Sequence, residues 1–357
     1  MPMSKRSASL AEVLDEMTGE GAAELTEHLP GGALRCYACG HRCLINEGKR
    51  GICKVRYNEG GRLMVPMNYV AALACDPTEK KPFFHALPGS DTLTFGMLGC
   101  DLHCQYCQNF LTSQALRDDA AGVMPNLVSP ERLVAMAKAY GASLVGTSYN
   151  EPLITAEWAI EVFKKAKPEG FKTAFISNGN ATPQVLDYIR PWTDCYKIDL
   201  KSMSDRNYRQ LGGVVDNILE TVRMVYERGF WEEIVTLVIP GFNDSEDELR
   251  RAADFIASVS QDIPWHVTAF HQDYNMTENP NTTAEQLIRA CEIGREAGLR
   301  YIYAGNLPGR VGRWENTYCP SCDELLVERY GYIIRQMKVA SDGQCPKCRA
   351  KIPGVWS

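Results

Sequence analysis

From residue 91 to residue 304 the chain alternates short apolar runs with amphipathic stretches, and this alternation limits its fold more than any other feature. Strand-like runs occupy 91–97, 143–149, 171–176, 195–200, 233–240, 264–270 and 300–304. Between them Leu133, Met136, Ala137 and Tyr140 recur at helical spacing behind a Ser129-Pro130 start, and Ala159, Val162, Phe163 and Ala166 repeat the pattern. Thr182-Pro183 opens another helix, and Ser245 with Glu248 has the form of a capping box for one more. Strand–helix alternation at this length calls for parallel strands joined by helical crossovers. A barrel and an open doubly wound sheet both satisfy it, and periodicity does not choose between them.

The flanks read differently. Residues 1–32 are expected to form a short amphipathic helix, on Leu10, Val13, Leu14 and Met17, followed by a linker. Residues 33–87 are turn-rich and cysteine-bearing, and end in the polar connector DPTEKKPFFHALPGS. The first twenty residues carry acids and no apolar run, unlike a secretory signal. No stretch approaches the ~20 apolar residues of a membrane span. A cytoplasmic protein without membrane attachment is therefore expected. The net charge of -6, without a basic stripe, argues against a nucleic-acid partner.

Fourteen cysteines are present, eleven of them in three tight clusters. In a cytoplasmic chain such clusters point to metal binding or catalysis rather than to disulfides. The central cluster, GCDLHCQYCQN, places Cys100, Cys104 and Cys107 on one short loop after the first strand. Three thiolates there suit one face of an iron–sulfur cube with an open fourth iron; a zinc site completed by His103 is the alternative. At the C-terminus Cys319/Cys322 and Cys345/Cys348 have zinc-ribbon spacing, with hairpin character from Tyr330 to Val339 between the pairs. The N-terminal tetrad, Cys36, Cys39, Cys43 and Cys53, suits a closed four-thiolate site for zinc or a second iron–sulfur cluster. Zinc is the expected occupant. Of the three remaining cysteines, Cys195 and Cys291 read as buried thiols and Cys75 stays open.

The triplet loop, with Tyr106 just before its third cysteine, resembles the signature of the radical S-adenosylmethionine (SAM) superfamily. The resemblance implies an α/β fold: a partial (β/α)6 TIM-type barrel over 88–312, flanked by the cysteine-rich segment 33–87 and a zinc ribbon over 313–357. It implies a [4Fe-4S] cluster on Cys100, Cys104 and Cys107 and an active site at the C-terminal strand ends. SAM contacts are expected from Tyr106, Asn150, Glu151, Ser177, Asn178 and His266, with Glu151 facing the SAM amino group, and Asp199 and Lys201 are expected to serve SAM or substrate. In relatives a glycine-glycine-glutamate motif stands at the second strand end; here only Glu151 of Ser148-Tyr149-Asn150-Glu151-Pro152 matches it. His271, Asp273, Gly305 and Asn306 sit near later strand ends. For any one of these polar residues a helix cap or solvated loop is the plainer reading; their recurrence favours a site.

The whole arrangement, including TSYNEP, AFISNGN, YKIDLKS and the terminal IPGVW, is similar to the radical SAM member of the AmmeMemoRadiSam system, a relation of pyruvate formate-lyase activating enzymes. That similarity implies Memo-like and AMMECR1-like partners and an electron donor such as flavodoxin or ferredoxin. The function expected is reductive SAM cleavage to a 5'-deoxyadenosyl radical that takes hydrogen from a substrate, a protein or peptide in the activator-like case. A small-molecule substrate and a non-catalytic, metal-stabilised scaffold are the alternatives.

Overall fold

The computed structural model describes residues 10–357. At its centre is one eight-stranded sheet: β1 (Ala72–Pro77), β2 (Asp91–Gly96), β3 (Leu144–Thr147), β4 (Lys172–Ser177), β5 (Cys195–Asp199), β6 (Trp231–Val238), β7 (Trp265–Ala269) and β8 (Ile302–Gly305). From β2 to β8 neighbours in sequence are neighbours in the sheet and all run parallel. β1 pairs antiparallel with β2 and closes that edge. Helices cross between the strands: α1 (Pro130–Ala139), α2 (Ala156–Ala166), α3 (Pro183–Ile189), α4 (Asp205–Leu211), α5 (Val215–Glu227), α6 (Glu246–Val259) and α7 (Ala284–Glu296). The order is that of a partial barrel with seven parallel strands, and its main core lies between the strands and the helical layer.

The helix starts follow the capping chemistry read from the sequence, with one exception. Ser129, Thr182 and Ser245 each accept a hydrogen bond from the backbone three residues on. Glu248, however, does not fold back to complete a box with Ser245. Its carboxylate takes the Ser202 hydroxyl and, at 2.8 Å, the Met203 amide, so it braces the loop after β5. The complete capping box belongs to Thr283 and Gln286 at the head of α7.

The flanks carry more structure than expected. The N-terminal helix is short, Leu10–Asp15; part of the expected helix lies outside the described residues. The supposed linker holds two strands, Thr18–Glu20 on Arg62–Pro66 and Thr26–His28 on Leu34–Cys36. The main sheet likewise begins at β1, which ends on the first two residues of the connector, rather than at residue 88. At the other end Thr317–Tyr318, Leu325–Tyr330 and Ile333–Met337 form a three-stranded ribbon, whose small core takes in Phe84, Tyr301 and Tyr303. Among the described residues no helix is long and apolar enough to cross a membrane.

Candidate active site and metal centres

Strand periodicity builds the inner wall of the site. Successive side chains point to opposite faces, so Lys197 and Asp199 on β5, Val235 and Leu237 on β6, and His266 and Thr268 on β7 share one side. They line a cavity of about 390 Å³ together with Cys104, Tyr106 and Cys107 of the loop after β2. Ser148 and Tyr149 join from beyond β3, and Gly305 and Asn306 from the end of β8. Lys80, Lys81 and Phe84 of the connector and Tyr332 of the ribbon complete the rim. The ribbon is hinged to this rim by Tyr332, whose hydroxyl donates to Asn306 Oδ1 at 3.3 Å.

Charge in the cavity is arranged in two groups. Asp199 is held between Lys197 and Lys201, the second at 3.2 Å. Burial works to raise the Asp199 pKa, but the two ammonium groups outweigh it and hold it at about 2. Lys201 is moved upward: burial opposes its charge, and Asp199 and the neighbouring Cys104 more than compensate. Across the cavity Asp76 receives both Lys80 and Lys81 at 2.9 Å, and buried Lys81 also reaches the Tyr149 hydroxyl at 3.2 Å.

Behind the triplet lies a buried polar mesh. Asp101, fully buried, accepts Asn178 Nδ2 at 2.7 Å on one oxygen and Asn180 Nδ2 at 2.8 Å on the other. Glu151, 2 % exposed, accepts the Ser177 hydroxyl at 2.8 Å, the Asn178 amide at 2.7 Å and the Leu153 amide at 3.1 Å. Burial and the Asp101 charge push its pKa upward against those three donors. Asn150 is spent in the same way: its Oδ1 accepts the Met97 amide at 2.9 Å and its amide donates to the Glu151 carbonyl. The expected SAM contacts therefore divide. Tyr106 and His266 face the cavity, while Asn150, Glu151, Ser177 and Asn178 knit the strand-end loops together beside Cys100. His266 is not beyond its strand but second within β7, and its Nε2 pairs with the buried Glu233 at 2.7 Å. Asp199 and Lys201 stand together at the cavity floor; His271 and Asp273 are not among the lining residues.

The sequence reading passed over Asp101, Lys197, Lys81 and Tyr332. Asp101 directly follows the first cysteine, and Lys197 lies two residues before Asp199 on one strand, so the period of two carried a signal for it.

The three cysteine clusters differ in geometry. At the C-terminus Cys319 and Cys348 sulfurs stand 3.5 Å apart, Cys322 and Cys345 sulfurs 3.7 Å. A tetrahedral ion with ~2.3 Å bonds to sulfur needs separations of about 3.8 Å. The turns are alike: after each pair a residue in the left-handed region, Asp323 or Arg349, returns its amide to the first cysteine's carbonyl. Among the described residues this is the one set of three or more cysteine, histidine or acidic ligand atoms lying within 4.8 Å of one another, and it could hold a metal ion. Cys195 and Cys291 are fully buried and Cys75 is half-buried on β1.

Comparison with known proteins adds the following. The model described as "Radical SAM superfamily" matches residues 95–256. An uncharacterised protein of Methanocaldococcus jannaschii is 33% identical over 329 residues, covering 91% of this chain and 97% of that one. The pyruvate formate-lyase 1-activating enzyme of Escherichia coli K12 is 27% identical over 202 residues, 54% of this chain and 80% of its own. A solved domain of a pyruvate-formate lyase-activating enzyme from Bacteroides vulgatus overlays 45% of this chain and 98% of its own, at 23% identity and a TM-score of 0.41.

Proposed function

This chain belongs to the radical SAM superfamily and is an enzyme of its activating type, and from that premise we propose that it cleaves SAM reductively at a [4Fe-4S] cluster held by Cys100, Cys104 and Cys107. The single observation that carries the reading is the triplet's position. Its loop leaves the C-terminal end of β2, and Cys104 and Cys107 open into the cavity while Cys100 backs onto the mesh of Asn178 and Asp101. The donor set fits the group: three cysteines on one loop, two of them lining a cavity with room beside them. A cluster held there would supply, once reduced, the electron for reductive cleavage of SAM to methionine and a 5'-deoxyadenosyl radical, which would take hydrogen from the substrate.

The chain's own residues do the rest. Asp101 and Glu151 fix the loops after β2, β3 and β4 against each other, so the SAM-binding end of the cavity is rigid before ligand arrives. Asp199 stays ionised between its two lysines and offers a fixed anion to a cationic group, while Lys201 offers a donor to a carboxylate. Phe84 and Tyr332 cover the wall and rim and keep water from a reactive intermediate. A protein or peptide substrate follows from the activating-enzyme relatives. The specific observation favouring a small molecule instead is Tyr332, which the ribbon sets at the rim of a cavity of only about 390 Å³. Zinc in the C-terminal tetrad, a flavodoxin or ferredoxin as donor, Memo-like and AMMECR1-like partners and a cytoplasmic setting belong to the same proposal.

The test is anaerobic reconstitution with SAM and dithionite, following 5'-deoxyadenosine by chromatography. Slow uncoupled cleavage is expected without substrate, and Cys104→Ser is expected to abolish it together with the site iron. A fully loaded protein that forms no more 5'-deoxyadenosine than Cys104→Ser would overturn the reading.

A further inference from the structure

The N-terminal tetrad stands apart from the ribbon in both geometry and position. Its four cysteines come from the strand Leu34–Cys36 and the turns on either side of Leu44–Ile45, and Cys36, Cys39 and Cys53 are buried. The Cys36 amide donates to the Cys43 carbonyl at 3.0 Å, and Cys39 and Cys53 pack in one apolar cluster. Yet they do not draw in as those of the ribbon do: among the described residues only the ribbon's four cysteines gather closely enough round one point to hold a single ion. A lone tetrahedral ion needs that compactness. Thiolates carried on separate irons of a cube stand further apart and leave room for the cluster between them. The Ile52 amide already points at the Cys43 sulfur at 3.5 Å, the kind of contact that tunes a cluster.

The position is the second observation. Gly99, next to Cys100, has φ +94, and a Cβ there would come within 3.1 Å of the Cys53 carbonyl and 2.9 Å of Val55. The His41 ring meets the Asp101 carbonyl at 3.1 Å. The Gly40 amide donates to the Asn180 carbonyl at 2.8 Å, where a Cβ would collide with the Asn180 side chain. The tetrad thus lies directly against the loop that carries Cys100, with no intervening layer. Its far side is open: Cys43 is only half-buried, and Leu44 and Ile52 are exposed.

We propose that Cys36, Cys39, Cys43 and Cys53 hold a second iron–sulfur cluster of the [4Fe-4S] type rather than zinc, placed between solvent and the catalytic triplet. A one-electron centre there accepts an electron from a reduced flavodoxin- or ferredoxin-type donor, which is oxidised, and passes it inward; no bond is made or broken. The passage inward rests on the radical reaction proposed above, whereas the cluster itself does not.

The experiment is metal analysis with EPR on anaerobically purified full-length protein and on Cys100→Ala/Cys104→Ala/Cys107→Ala. The wild-type chain is expected to hold about eight irons and one zinc, and the triple variant about four irons and one zinc, by ligand count. After dithionite reduction the variant is expected to keep a four-iron EPR signal, and the wild type to show two interacting ones. Two zincs with about four irons in the wild type, or a triple variant with no iron, would overturn the proposal. Should the triple variant aggregate, the wild-type iron-to-zinc ratio decides alone. Failure of SAM cleavage with eight irons present would sink the catalytic reading and leave this one standing.

Discussion

A buried ion pair is one of the ties between the N-terminal unit and the barrel, and removing it tests how much it contributes. Arg56 gives two hydrogen bonds of 2.7 Å to the two carboxylate oxygens of Glu157 on α2 and a third of 3.1 Å to the Ile154 carbonyl. Their side chains are 1% and 5% exposed. Glu157→Ala takes away both charge-assisted bonds and leaves a guanidinium buried with one neutral acceptor. Losing one partner of such a pair costs about 3–5 kcal/mol. At 1.4 kcal/mol per decade that is roughly two to three and a half powers of ten in the local opening equilibrium. The reporter is the hairpin beside Arg56, where Gly51 donates to Arg56 and Asn58 to Lys49. Hydrogen exchange of peptides spanning 48–58 is expected to accelerate by at least a hundredfold. The apolar pair Arg56→Met/Glu157→Leu, which buries no charge, is expected to recover most of the protection. Exchange changed less than about threefold in Glu157→Ala would refute the reasoning, because the pair would then not be a tie that holds the unit.

Two further outcomes are expected. Burial lowers the His85 pKa from 6.5 to about 4, partly opposed by Glu233; its Nδ1 is tied to the Pro353 carbonyl at 2.7 Å. The fold prefers the neutral ring, so its contribution is complete above pH 6.5 and is lost as pH falls from 6.5 towards 4, to a total of about 3 kcal/mol. Melting curves from pH 7 to 4 should fall more steeply for the wild type than for His85→Gln. Chelation of the ribbon metal, or Cys322→Ser, is expected to release one zinc and open 319–348 to proteolysis while the site iron stays, as metal analysis and mass spectrometry would show.

The parallel sheet was legible because its strands are apolar runs separated by capped helices, and those signals are local. What escaped the sequence depended on contacts between distant segments. β1 is short and runs into Asp76-Pro77, which look like the start of a loop; it is a strand because β2 offers it an edge. Glu248 has the spacing of a capping residue but serves the loop at Ser202, a choice made by the β5–α6 juxtaposition. The triplet was visible as a metal-binding loop from its spacing, and its assignment to a cluster came from the resemblance. The three donors on the Glu151 carboxylate were not legible, since the fold alone brings the loops of Leu153, Ser177 and Asn178 to it.

The two flanking units meet the barrel in different ways, and that difference orders their contributions. The ribbon shares its core with the barrel: Phe84, Tyr301 and Tyr303 pack with Leu326, Val327 and Ile352, and buried Arg329 lies 4.2 Å over the Phe84 ring and donates to the Phe84 carbonyl. Tyr332 at the cavity rim is therefore held in place by apolar burial of the ribbon. The N-terminal unit has a core of its own only in Leu34, Cys36, Ala38, Ile45, Leu63 and Val65. A core that small does not sustain a fold unaided, and metal binding supplies folding free energy in such units. It also packs on the barrel through Cys39, Cys53 and Val55 against Ile154, and is tied to it by the Arg56–Glu157 pair and the polar contacts of Gly40 and His41 with the loops around Cys100. A disturbance of the tetrad would thus act where the unit touches Gly99 and Asp101, on the backbone that carries Cys100, Cys104 and Cys107. The tetrad and the triplet are one mechanical assembly.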